Sequence, residues 1–268
     1  MSRPVRLAVL GEPLAFTLSP VLHRAGLEWL GLPGGSDALP TSPAGLGERL
    51  SALAADGYRG ANVTRPLKEV VLPFLSRLTD EARRARSVNT VGFGPGGWWG
   101  ASTDGPGFLD FLAAAGESRR LARTHLLGAG GAARSLAVAF SAAGAEVTVS
   151  ARDPRRAAPT WEAAGPARFV AWRSAEERLA LGRATLVVNC TPLRDEPAPL
   201  EQLGSGALIV DLVYESELTS WVVRARASGF EAHDGLGLLV FQARRSLALW
   251  TGREVPADPL ARAVGWPR

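Results

Sequence analysis

Residues 126–133 read LLGAGGAA, and how this stretch is read decides the fold. It follows a short apolar run, THLLG, and opens AARSLAVAFSAAG, whose apolar residues recur at helical spacing. Strand, glycine turn and helix in that order match G-x-G-x-x-A through Gly128, Gly130 and Ala133, with Ala129, Gly131 and Ala132 between them. Glycines permit the tight turn and let a pyrophosphate approach the backbone. The helix N-terminus then offers unpaired N–H groups and the positive end of its dipole to the anion. The stretch predicts a dinucleotide-binding, Rossmann-like parallel sheet. The next strand, AEVTVS (145–150), ends at Ser150-Ala151-Arg152, with Arg155 and Arg156 close behind. An NAD-selective site usually carries an acid at that place, to accept from the ribose 2′-OH. Arginine favours a 2′-phosphate through charge-assisted bonds, so Arg152 and Arg156 point to NADP. Asp153 competes: it could accept from a ribose hydroxyl or merely cap the following helix.

Outward from the turn, apolar strand patterns alternate with helical ones. Strands are expected at 5–11, in GANVT (60–64), at 184–190 and at 206–214. Residues 87–102 read as a hairpin turning at GPGG. Helices are expected at 20–30, with Ser19 as N-cap and Pro20 in the first helical position, at 45–57, 66–78 and 217–229, after Asp104, and over 237–252. Such alternation argues for parallel sheets covered by helices. The expected architecture is two α/β domains flanking a cleft. Residues 1–103 are expected to form a substrate-binding α/β domain, with a C-terminal helical part at about 237–268 expected to pack back onto it. Residues 104–236 form the NADP-binding, Rossmann-like domain.

Composition narrows the classes. The chain has 268 residues, 46% hydrophobic and 21% charged, close to globular averages. Its formal net charge is +4, but the arginines are scattered, and pairs such as Arg83-Arg84, Arg119-Arg120 and Arg244-Arg245 sit beside helical patterns as solvated faces. No basic run is interleaved with aromatics, which disfavours nucleic acid. Cys190 is the one cysteine, so no disulfide forms within the chain. The N-terminal run is too short for a signal peptide, and no run approaches the ~18 apolar residues of a membrane span. A soluble cytoplasmic protein is expected. The histidines His23, His125 and His233 show no metal-ligand spacing, so no metal is expected.

Lys68, in GANVTRPLKE (60–69), is the chain's one lysine; the rest of its 30 Lys+Arg residues are arginine. Arginine replaces lysine on a solvated surface at little cost. It cannot do so where an ammonium must lose and regain a proton. A coding bias toward arginine would spare such a lysine, although chance survival or a surface ion pair would also leave one. Asn62, Thr64, Asn89 and the pair Thr103-Asp104 stand at strand ends or at the expected domain boundary. Each alone is more often a cap or turn residue. Together they suit a polyhydroxylated ligand.

Several motifs, in order along nearly the whole chain, make it resemble the shikimate dehydrogenase family. The family's S-x-S-P segment appears as Thr17-Leu18-Ser19-Pro20, with His23 at the familiar interval. N-V-T-x-P-x-K runs from Asn62 to Lys68, V-N-T is Val88-Asn89-Thr90, and N-T-D-G is Ser102-Thr103-Asp104-Gly105. G-A-G-G-A is Gly128 to Ala132, D-x-x-Y is Asp211 to Tyr214, and D-G-L-G-x-L-V-x-Q is Asp234 to Gln242. The resemblance implies Lys68 as proton donor and acceptor at the substrate oxygen, with Asp104 holding and polarising it. It implies Thr17 and Ser19 at the substrate carboxylate, Thr64, Asn89, Asp104 and Gln242 at hydroxyls, and Tyr214 near the ring. It also implies that Leu212 and Gly235 border the nicotinamide.

Four positions depart from the family pattern: Thr17 for serine, Ser102 for asparagine, and Arg86 and Arg194 where glycines usually stand. The activity implied is reversible, NADP-dependent reduction of 3-dehydroshikimate to shikimate. The rivals are a quinate/shikimate dehydrogenase using NAD, and a catalytically silent nucleotide-binding paralogue. Retention of both Lys68 and Asp104 argues against the second. The expected partner is the small-molecule substrate, with no nucleic acid and no membrane; a homodimer is left open.

Overall fold

The computed structural model describes residues 3–14 and 16–268. The chain divides into two compact units, Met1–Gly107 with Leu239–Arg268, and Phe108–Leu238.

The first unit holds a six-stranded sheet of β1 (Val5–Gly11), β2 (Gly34–Pro40), β3 (Gly60–Val63), β4 (Arg77–Leu78), β5 (Thr90–Gly94) and β6 (Gly97–Ala101), in the order β2-β1-β3-β5-β6-β4. β1 runs parallel to β2 and β3, while β5 is antiparallel to both β3 and β6. The sheet is therefore mixed rather than parallel throughout, because the tight 87–102 hairpin can only bring its strands together antiparallel. Leu10, Leu50, Leu53, Val63, Leu67, Val88 and Val91 form its core. The helix Leu236–Thr251 meets this sheet through buried Trp250, whose Nε1 donates to the Val91 carbonyl at 2.9 Å. Gly60 makes room for it, since a Cβ there would lie 2.2 Å from that nitrogen.

The second unit holds β7 (Arg123–Leu127), β8 (Glu146–Ala151), β9 (Arg168–Ala171), β10 (Leu186–Asn189), β11 (Leu208–Asp211) and β12 (Ala232–His233), in the order β12-β11-β10-β7-β8-β9. Every pairing is parallel. Counted within the unit this is the 3-2-1-4-5-6 order of a dinucleotide-binding sheet, whose ligands bind beyond the carboxyl ends of the strands where the order reverses, between β7 and β10. The near-continuous apolar strands LVVN and LIVD are buried on both faces, as such a sheet requires.

Local differences from expectation have identifiable causes. Residues 66–78 form a single turn, Leu67–Val70, then a 3₁₀ turn, Leu72–Phe74, and β4, not one helix. Pro73 has no N–H with which to continue α-helical pairing. Ser19 is the first residue of the helix Ser19–Trp29 rather than its cap; Leu18 is the N-cap, and its carbonyl accepts from the Leu22 N–H at 3.1 Å. β2, β9, β12 and the helix Ala257–Val264 are additional elements. No helix among the described residues is long and apolar enough to cross a membrane.

Candidate active site

Lys68 sits on the single turn Leu67–Val70, just past β3, where its carbonyl accepts from the Val88 N–H at 2.9 Å. Asp104 is the first residue of the helix Asp104–Ala114. The Lys68 Nζ donates to Asp104 Oδ2 at 2.5 Å, with the lysine side chain 21% exposed and the aspartate 7%. Asn89 holds the other carboxylate oxygen, donating from Nδ2 to Oδ1 at 2.8 Å. The same nitrogen faces Thr103 Oγ1 at 2.8 Å and Gln242 Oε1 at 3.2 Å. Asn89 Oδ1 accepts from the Thr103 backbone N–H at 2.8 Å, which fixes the amide's orientation. Gln242 Nε2 donates to the Leu239 carbonyl at 2.9 Å, leaving its oxygen toward Asn89.

Of the substrate-site residues predicted from sequence, Lys68, Asp104, Asn89 and Gln242 thus meet in one hydrogen-bonded set. Thr64 stands at the end of β3, its backbone N–H donating to the Leu10 carbonyl at 2.8 Å. A Cβ on Gly11 would lie 2.4 Å from Thr64 Cγ2, so β1 must end in glycine there. Thr17 is half-buried in the loop before the first helix, and Ser19 is buried at its start. Tyr214 lies half-buried after β11, in the second unit.

In that unit β7 turns at Gly128, whose φ of +100° suits glycine and whose N–H donates to the Ser150 carbonyl at 2.9 Å. A Cβ there would also lie 2.8 Å from Thr191 Cγ2. Gly130 is the N-cap of the 12-residue helix Gly131–Ala142 and gives it no side-chain cap, so the helix N–H groups stay available. A Cβ on Gly130 would meet no described atom within 4 Å. Trp161 braces the turn by donating from Nε1 to the Ala129 carbonyl at 3.2 Å. Arg152, Arg155 and Arg156 are exposed beyond β8. Asp153 takes the capping role: its Oδ1 accepts from the Arg156 N–H at 3.1 Å. An open glycine cradle, an uncapped helix start and three exposed guanidiniums fit a dinucleotide bearing an extra phosphate.

The loops after β10 and β11 are tied at their roots. Asn189 Nδ2 donates to Asp211 Oδ1 at 2.8 Å, and Asp211 also accepts from the Val213 N–H at 3.1 Å and the Thr219 hydroxyl at 2.7 Å. Burial pushes the Asp211 carboxyl above its usual range, against the hydrogen bonds that hold the ion. Gly235 packs on Leu212 so closely that a Cβ would lie 2.3 Å from the Leu212 carbonyl oxygen. Among the described residues, no group of three or more His, Cys, Asp or Glu is arranged to hold a metal ion.

A family model described as the shikimate dehydrogenase substrate binding domain matches residues 9–91, and one described as the shikimate 5′-dehydrogenase C-terminal domain matches residues 235–264. A model described as NADP oxidoreductase coenzyme F420-dependent matches residues 123–214. The shikimate dehydrogenase (NADP(+)) of Acidiphilium cryptum is 40% identical over 271 residues, covering 98% of this chain and 97% of the relative. The chain belongs to the shikimate dehydrogenase family. The solved structure of shikimate 5-dehydrogenase from Thermus thermophilus, in complex with NADP(H) and shikimate, is similar with a TM-score of 0.88 and 37% identity, covering 97% of this chain and 98% of that one. Quinate dehydrogenase from Corynebacterium glutamicum in complex with NAD is similar with a TM-score of 0.85 and 26% identity, over 97% and 98% of the two chains.

The positions where this shikimate dehydrogenase family member departs from the common motifs now have physical descriptions. Arg86 ends the helix Asp80–Ala85 in a left-handed conformation, φ 46° and ψ 42°, which explains why a glycine suits that place. Arg194 pairs with Glu215 at 2.8 Å, linking the loops after β10 and β11. Ser102 is buried beside Thr103. Two residues with no role read from sequence lie behind the site. Ser246, one turn beyond Gln242, accepts from Asn62 Nδ2 at 3.1 Å, and the Nε2 of His23 stands 2.8 Å from Asn62 Oδ1. The spacing of Gln242 and Ser246, four apart on one helix, was the available signal for the serine.

Proposed function

We propose that the chain is an NADP-dependent shikimate dehydrogenase, catalysing the reversible reduction of 3-dehydroshikimate to shikimate in the shikimate pathway toward aromatic amino acids. The observation that carries this reading is the ion pair of Lys68 with Asp104, whose carboxylate is engaged at both oxygens by Lys68 and Asn89. Bound NADPH supplies the hydride that adds to the carbonyl carbon. Lys68 delivers the proton to the carbonyl oxygen as negative charge develops there, turning C=O into CH–OH. The resulting neutral amine regains its proton from water, which its 21% exposed side chain reaches. In the other direction Lys68 takes the hydroxyl proton. Asp104 keeps the ammonium aimed and stabilises its charge.

Thr17 and Ser19 hold the substrate carboxylate; Thr64, Asn89 and Gln242 bind its hydroxyls, and Tyr214 contacts the ring. The turn Gly128, Ala129, Gly130, Gly131 and Ala132 receives the pyrophosphate, Arg152 and Arg156 the 2′-phosphate, and Leu212 and Gly235 border the nicotinamide. A cytoplasmic setting suits a chain with a single cysteine. The test is an assay of nicotinamide absorbance in which shikimate and quinate are each crossed with NADP and NAD. Shikimate with NADP should give kcat/KM about tenfold or more above every other pair. Faster turnover of quinate with NAD, or none with shikimate, would reject the reading.

A further inference from the structure

We propose that His23, Asn62 and Ser246 are positioning residues for Asp104, forming a buried, directional hydrogen-bond chain that fixes Asn89 and, through it, one oxygen of the carboxylate. The proposal rests on the reading of Lys68 and Asp104 as the catalytic pair.

The chain's direction follows from groups that can only accept. Asn62 Nδ2 lies 2.9 Å from the Asn89 backbone carbonyl, so the nitrogen of the Asn62 amide must face it. Asn62 Oδ1 therefore faces His23 Nε2 at 2.8 Å, and that nitrogen must carry the hydrogen. His23 Nδ1 is left to accept from the Ser36 hydroxyl at 2.8 Å. Burial lowers His23 from the usual 6.5 to about 4, so the imidazole is neutral near pH 7 and keeps this tautomer.

The second N–H of Asn62 is shared between Thr90 Oγ1 at 3.2 Å and Ser246 Oγ at 3.1 Å. Ser246 donates to the Gln242 carbonyl at 3.0 Å, so across its 2.8 Å contact with Thr90 it accepts. The Asn89 carbonyl takes the Val63 N–H at 2.8 Å as well as the Asn62 amide, which uses both its lone pairs. Asn89 is thereby held from behind by its main chain and presents Nδ2 to Asp104 Oδ1.

His23, Asn62, Asn89, Thr90, Gln242 and Ser246 are each at most 6% exposed, so water does not stand in for a missing partner. Four separate elements supply the chain: the helix Ser19–Trp29, β3, β5 and the helix Leu236–Thr251. Removing one member lets the Asn62 amide or the Ser246 hydroxyl turn to another partner. Asn89 then loses its fixed approach, and Asp104 can swing its Oδ2 away from the ammonium. Small displacements of catalytic groups lower turnover while leaving cofactor binding intact.

The test compares Ser246→Ala, His23→Leu, His23→Gln and Asp104→Asn. It measures kcat and the KM values for shikimate and NADP, with rates divided by the amount of protein that binds NADP. Ser246→Ala and His23→Leu should each lower kcat by about tenfold or more, with the NADP KM within about twofold of wild type. His23→Gln places an amide nitrogen where Nε2 stood and should recover most of the loss. If Ser246→Ala keeps kcat within about twofold of wild type, or His23→Gln is as slow as His23→Leu, the positioning role is overturned. Where His23→Leu does not fold, the kcat of Ser246→Ala decides alone. A slow Asp104→Asn beside a fast Ser246→Ala sinks the positioning proposal only. An Asp104→Asn variant with wild-type kcat removes the catalytic pair and this proposal together.

Discussion

Arg86 stands in the left-handed region, φ 46° and ψ 42°, where a side chain crowds its own backbone. Relieving that costs little at a helix C-terminus, so Arg86→Gly should stabilise the protein by about 0.5–1 kcal/mol, read as a rise in the denaturant midpoint. An unchanged or lower midpoint would show that the arginine side chain's contacts outweigh the strain. This position was legible in the sequence as an arginine where the family motif has glycine, though only the backbone angles give the reason. Lys68 was legible through its solitude among arginines. Asn62 and Ser246 were not legible as partners, because their contact joins positions 184 apart and no local pattern marks it. His23 stood out only by its interval from the Ser-Pro pair; its neutral, tautomer-fixed state comes from burial that a lone histidine does not announce.

The strand, turn and helix around Gly128 behave as the sequence reading expects, because strand propensity, glycine conformation and helix start agree within one short segment. In the proposed function the arginines past β8 carry the choice of dinucleotide. Asp153 is engaged as a helix cap through the Arg156 N–H, which leaves the exposed Arg152 to meet a 2′-phosphate. Arg152→Ala should therefore raise the KM for NADP by about tenfold and leave that for NAD within about twofold. An equal loss for both dinucleotides would remove the assignment. Elements that escaped the sequence reading are those with weak local signals. β2 is GGSDALP, rich in residues that strands avoid, and β12 is two residues long. The 66–78 segment carries helical spacing, but Pro73 divides it and its later part pairs as β4 alongside β6.

At the scale of the whole molecule, each unit fully encloses one histidine that the fold keeps neutral; His233, half-buried in the second unit, is lowered by burial as well. His23 is enclosed in the first, and His125 in the second, where Nε2 meets Ser150 Oγ at 2.7 Å and Nδ1 has no hydrogen-bond partner among the described residues. Burial lowers both from 6.5 to about 4. The unfolded chain takes up these protons below pH 6.5 and the folded chain only near pH 4. Their contribution is thus full above pH 6.5 and is lost as pH falls toward 4, by up to about 3 kcal/mol each. Asp211, raised by burial, has the opposite sign. Urea midpoints measured between pH 7 and 4.5 should fall steeply for wild type and less for His125→Asn; identical slopes would contradict the account. The alternation of strands and helices made the two-part α/β plan legible. The 3-2-1-4-5-6 order of the second sheet and the mixed pairing of the first depend on long-range contacts that no local run encodes. The central claim is that one ammonium, held by one carboxylate, exchanges the proton that accompanies hydride transfer. Its most direct test is the turnover of Lys68→Ala with NADPH and 3-dehydroshikimate, alongside its affinity for NADP. The account predicts a kcat about 10²-fold or more below wild type with NADP affinity within about twofold. Wild-type turnover in that variant would contradict it.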